Sequence, residues 1–166
     1  MPLQVRQRGL QRQRGFSLIE LLVVISIILI ILFFAVPKMT SIQANARETG
    51  AISTMKTIYA AQIQYQSTFN KFASTMTQLG PPAGTGVAEG PEAAGLVSGS
   101  LASGESSGYV FTMTATPLGY TVSAVPKTFG TTGRRTFYLD QTGVIRQNWG
   151  QEPATPTSPE AGAAKQ

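Results

Sequence analysis

Residues 16–36 form an unbroken apolar run, FSLIELLVVISIILIILFFAV, whose single charged residue is Glu20. As a helix the run would rise about 31 Å, enough to span a hydrocarbon core. A secretory signal peptide has a shorter apolar stretch and then a small-residue cleavage site. Here Pro37-Lys38-Met39 follows instead. The expectation is therefore a membrane-spanning helix over 16–37, with everything else built around it.

Charge sets its direction. The chain carries 13 Lys+Arg against 8 Asp+Glu. Arg6, Arg8, Arg12 and Arg14 precede the run without an acid, leaving 9 basic against 8 acidic residues from 16 onward. A basic arm can bind nucleic acid, but one that abuts an apolar run reads as a positive-inside signal. The N-terminus is expected in the cytoplasm and the remainder across the membrane.

With no His and no Cys among the 166 residues, the usual general base, thiol chemistry, disulfides and His-ligated metals are excluded. No phosphate-binding glycine motif occurs. An enzyme anchored by one helix is disfavoured further because Glu89, Glu92, Glu105 and Asp140 are scattered over loops and turns, with no spacing that enforces acid/base geometry. A binding protein anchored by this single span is a separate possibility.

Glu20 is costly in lipid unless it snorkels or finds a partner. A cut after Gly15 would create an α-amine at Phe16, about 6 Å along the helix from Glu20. That amine can pair with Glu20 of the same chain or of a neighbour. The stretch Arg14-Gly15-Phe16-Ser17-Leu18-Ile19-Glu20-Leu21-Leu22-Val23-Val24 resembles the cleavage and methylation signature of type IV prepilins and type II secretion pseudopilins. The resemblance covers the leader, the apolar run and Pro37, which falls where many such proteins kink the helix. It implies that a prepilin peptidase cuts after Gly15 and methylates Phe16, and that Glu20 pairs with the amine of an adjacent subunit. It implies a helical homopolymer, served by an inner-membrane platform protein, an assembly ATPase and a secretin. Before assembly the single-pass precursor would sit in inner-membrane lipid, with its C-terminal domain periplasmic. The product would be an extracellular pilus or, alternatively, a periplasmic pseudopilus made of pseudopilins or minor pilins. The major pseudopilin typically holds calcium, which needs several carboxylates. Asp140 is the chain's one Asp, so no metal or other cofactor is expected, and this tilts the reading toward a pilus.

The expected fold is α+β: a pilin fold with a long N-terminal helix on a small antiparallel sheet of about four strands. The helix should loosen or kink near Pro37 and continue to about residue 72. In 38–79, Ile42, Ile52, Met55, Tyr59, Ile63 and Phe69 make an imperfect apolar stripe. Arg47, Glu48 and Gln62 fall on the wet side, and Tyr59, Tyr65, Phe69 and Phe72 read as core. Residues 80–107, rich in Gly, Ala and Pro, read as a variable loop with a short helical turn in 93–102. Alternation marks strands at 109–115, 120–125, 135–140 and 144–147 within a sheet region 108–149. Arg134, Arg135 and Arg146 read as solvated edge charge, or as a contact for an acidic partner. The tail 150–166, with Pro153, Pro156 and Pro159, is expected to be disordered or loosely attached.

Overall fold

The computed structural model describes residues 16–84 and 86–162, and the expected leader 1–15 lies outside them. The chain divides into two compact units, with the boundary after Lys38. One helix, α1 (Leu18–Phe69), has residues in both.

In the first unit no Gly or Pro interrupts α1 before Pro37. Its one internal hydroxyl with a described bond, Ser26, donates back to the Leu22 carbonyl at 2.8 Å. That bond spares the apolar surface an unsatisfied polar group. Helical backbone runs through Pro37 and does not end there. Among the described residues no helix is long and apolar enough to cross a membrane. The expected membrane-spanning first half therefore stays an expectation.

In the second unit the buried face of α1 is Ala44, Glu48, Ala51, Met55, Ile58, Gln62 and Tyr65, with Ala61 beside Gln62. The alternating three- and four-residue spacing is that of a helix laid on a flat partner. It matches the expected stripe in part: Met55 is buried and Ile52, Tyr59 and Phe69 pack against the core, but Ile42 and Ile63 are exposed, while Glu48 and Gln62 are buried. α1 stops at Phe69 because Asn70 adopts a left-handed φ of 56°. Its N–H still reaches the Gln66 carbonyl at 2.8 Å, a helix end for which Asn is suited. Gln62 then fixes the chain beyond. Its amide donates to the Ala73 carbonyl at 3.0 Å and accepts from the Ala73 N–H at 2.9 Å.

The segment 80–107 has more structure than its composition suggests. Between α2 (Met76–Leu79) and α3 (Gly99–Ala102), backbone bonds join Ala94 to Gln78, Gly95 to Gly80 and Leu96 to Leu79. β1 (Glu105–Ser106) opens the sheet and was not anticipated. β2 (Tyr109–Thr116), β3 (Gly119–Pro126), β4 (Arg135–Asp140) and β5 (Arg146–Trp149) follow. The order is β1-β2-β3-β4-β5, all antiparallel, so the sheet is a five-stranded meander in place of about four strands. The register sets Phe111 opposite Ala124, and Val122 opposite Leu139 and Ala124 opposite Phe137. Tyr109, Phe111, Tyr120, Val122, Ala124, Phe137 and Leu139 bury their face with Met55, Ile58 and Tyr65 in one core. Each large apolar side chain so buried contributes about 1.5–3 kcal/mol.

The tail departs from the expected disorder as far as it is described. Gln147 N–H donates to the Pro159 carbonyl and Ala161 N–H to the Ile145 carbonyl, both at 2.8 Å. Thr136, fully buried, donates its hydroxyl to the Glu152 carbonyl at 2.7 Å. The three prolines stiffen a segment that satisfies the open edge of β5 through backbone groups, so it needs little apolar surface of its own.

Candidate functional site

Phe16 and Ser17 precede α1, and Glu20 lies in its first turn. Leu21 N–H donates to the Ser17 carbonyl at 3.2 Å, which ties the two leading residues to the helix. Phe16 is 81% exposed, and the large apolar residues from Leu18 to Phe34 are all exposed as well. A helix that is apolar on every side must be covered by something outside its own unit. Glu20 belongs to neither ion pair among the described residues; those are Lys127–Glu105 and Arg135–Glu48.

This end of the helix favours an ammonium–carboxylate meeting. Unsatisfied N–H groups give a helix N-terminus a partial positive charge, which favours Glu20 and disfavours a bare amine at Phe16. Such an amine gains from any carboxylate brought beside it. Gly15 lies outside the described residues, and Pro37 is described only as helical backbone. The structure therefore places Phe16 just before α1 and Glu20 in its first turn, and leaves the cut and the kink as expectations.

A second polar constellation lies in the globular unit, and sequence reasoning missed it. Glu48 is 1% exposed. Its Oε1 accepts from the Arg134 N–H at 2.6 Å and its Oε2 from Arg135 Nε at 2.7 Å. Arg135 donates again, from a terminal nitrogen to Gln147 Oε1 at 2.7 Å. The guanidinium lies 4.9 Å from the Trp149 ring centre and 5.4 Å from that of Phe137. Tyr109 hydroxyl donates to the Arg135 carbonyl at 2.9 Å. Burial pushes that phenol well above its ordinary range, and the Glu48 carboxylate adds to the effect. Arg135 is thus a half-buried clamp between α1 and β4–β5 and not the solvated edge charge expected. Gly133 fits this corner because a Cβ there would strike the Tyr109 ring.

The clamp carries no sign of acid/base chemistry, since both carboxylate oxygens are already engaged. The remaining acids are not brought together. Asp140 accepts from the Thr142 N–H at 2.9 Å and so shapes its turn. Glu105 pairs with Lys127 on the surface, a contact of little energetic weight. Glu92 accepts from the Gln78 amide at 3.5 Å.

Comparison with known proteins bears on the first site. Residues 10–36 match the family described as the prokaryotic N-terminal methylation motif. The chain is similar to the type IV major pilin protein PilA of Myxococcus xanthus (strain DK1622), 33% identical over 69 residues. That match covers 42% of this chain and 31% of the relative, so the chain spans about a third of the relative's length. No solved structure matches the chain.

Proposed function

We propose that this chain, whose methylation motif and pilin relative support a place in the type IV prepilin family, is a filament subunit. The observation that carries the proposal is the first unit of α1: apolar on every side, uncovered, and bearing one acid in its first turn. Such a helix is a poor end state for an isolated subunit and a good building block for a shared core.

In this reading a prepilin peptidase cuts after Gly15 and methylates Phe16. The leader takes four arginines with it, leaving 9 basic against 8 acidic residues. The precursor is membrane-anchored, with lipid covering its apolar helix until other subunits replace it. The platform protein, assembly ATPase and secretin of the resemblance drive and conduct the exchange. Glu20 then meets the Phe16 amine of an adjacent subunit. Two charges that are each costly in an apolar core become tolerable when paired. The pairing demands one axial register, so it supplies specificity while the apolar surfaces supply association. The contact is head-to-tail and therefore open-ended. The role is structural and not enzymatic. The relative's description as a major pilin favours a surface pilus over a secretion pseudopilus.

The test is Glu20→Leu. It is expected to be inserted and processed like the wild type and to be absent from sheared filaments. Normal filaments from that variant would remove the pairing argument.

A further inference from the structure

The globular unit segregates its charge. Residues 72–126 contain Glu89, Glu92 and Glu105 and no base, whereas 127–149 contain Lys127, Arg134, Arg135 and Arg146 against Asp140. Internal pairing consumes Glu105 with Lys127 and Arg135 with Glu48. Among the described residues, Glu89, Glu92 and Arg134 are exposed and belong to no ion pair.

Each of these charges is built into a shaped surface. Gly90 and Ala93 exchange both backbone bonds at 3.0 Å, closing a tight turn with Glu92 at its tip and Glu89 just before it. Val87, 58% exposed, precedes them as an apolar knob. On the other side, Phe129, Gly130, Arg134, Trp149 and Gly150 line a groove. Phe129 and Trp149 are 38% and 44% exposed there, and Arg134 brings the charge. One surface is an apolar knob with acids; the other is an apolar groove with a base.

A chain cannot close this contact on itself. Tyr65 hydroxyl holds the acidic turn at the Pro91 carbonyl, and Glu48 holds the base of the groove at the Arg134 N–H. Residues 48 and 65 stand about 25 Å apart along the same helix. A second copy, shifted along that axis, can bring the two together. We infer that the turn carrying Val87, Glu89 and Glu92 of one copy docks in the Phe129–Arg134–Trp149 groove of the next. The inference rests on the filament reading and gives that filament a contact between globular units. The contact is heterologous, so it repeats without closing. A turn already held by its own backbone bonds loses little freedom on docking, and the opposite charges fix orientation.

The chain has no Cys, so introduced thiols report cleanly. Filaments sheared from cells carrying Val87→Cys with Phe129→Cys are treated with a short bis-maleimide. A ladder of dimer, trimer and longer species is expected from the double variant and only monomer from either single one. Wild-type filaments alongside a double variant that yields no ladder, or that links to another protein instead, would overturn the contact and leave the filament reading intact. A wild type that makes no filaments overturns both. Charge reversal checks the same contact without thiols. Arg134→Glu is expected to cut filament yield about tenfold, and Glu89→Lys with Glu92→Lys is expected to restore it. Failure of that restoration in a stably produced triple variant would overturn the contact.

Discussion

Glu48 and Arg135 hold each other inside the globular unit, and each is costly to strand. The carboxylate is 1% exposed and accepts two short hydrogen bonds. Removing one member of a buried pair typically costs about 3–5 kcal/mol, because the other charge is left uncompensated. Glu48→Gln is therefore expected to lower stability by about 3 kcal/mol, read by denaturation of the full chain in detergent. A change within experimental error would mean that Arg135 finds another partner. Tyr120 presents the opposite case. Its hydroxyl is buried with no hydrogen-bond partner among the described residues. Deleting an unsatisfied buried hydroxyl removes a desolvation penalty, so Tyr120→Phe is expected to gain about 1 kcal/mol in the same assay. A comparable loss would show that the hydroxyl has a partner. These residues also mark the limit of reading by pattern. Glu48 and Gln62 read as wet because they are polar, yet both complete a regular buried stripe with Ala44, Ala51, Met55, Ile58 and Tyr65. Their partners, Arg134 and Arg135 for one and Ala73 for the other, lie in distant or irregular chain that local periodicity does not sample.

Among the elements, strands were the most legible. Alternation at 109–115 and 120–125 sorts inward Tyr109, Phe111, Tyr120, Val122 and Ala124 from their neighbours, because one sheet face is buried and the other is not. Strand β4 matches the expected 135–140. β5 begins at Arg146, two residues beyond the expected 144, and the two-residue β1 has too little sequence to show a period. The tail was the least legible element. Prolines and small residues signal weak self-structure, and nothing in them announces a waiting strand edge. Truncation after Gly150 is expected to leave the β2–β3 core amides protected. It should accelerate hydrogen exchange at Gln147, whose N–H loses the Pro159 carbonyl, by about tenfold or more. Unchanged exchange there would mean that the tail does not hold that edge.

Across the whole molecule, burial of two phenols gives stability a defined alkaline limit. Tyr109 and Tyr120 are both pushed well above the ordinary tyrosine value, first by burial and then by nearby anionic groups. Above about pH 10 the unfolded chain releases phenolic protons that the folded chain keeps. Unfolding then releases protons, and stability falls as pH rises. The contribution is intact below about pH 10 and is lost progressively above it. Thermal unfolding of the full chain is expected to be insensitive to these groups at neutral pH and to weaken steeply beyond that point. A midpoint unchanged through strong alkali would contradict the burial of both rings.

The central claim is that an uncovered apolar helix with one acid in its first turn exists to be shared between copies. Intact-mass spectrometry of filaments sheared from the source cells tests it most directly. A dominant species beginning at N-methylated Phe16 is the expected result, and it would join processing, assembly and abundance in one spectrum. Processed chain confined to the membrane fraction, or full-length chain beginning at Met1, would contradict the account of a surface filament subunit.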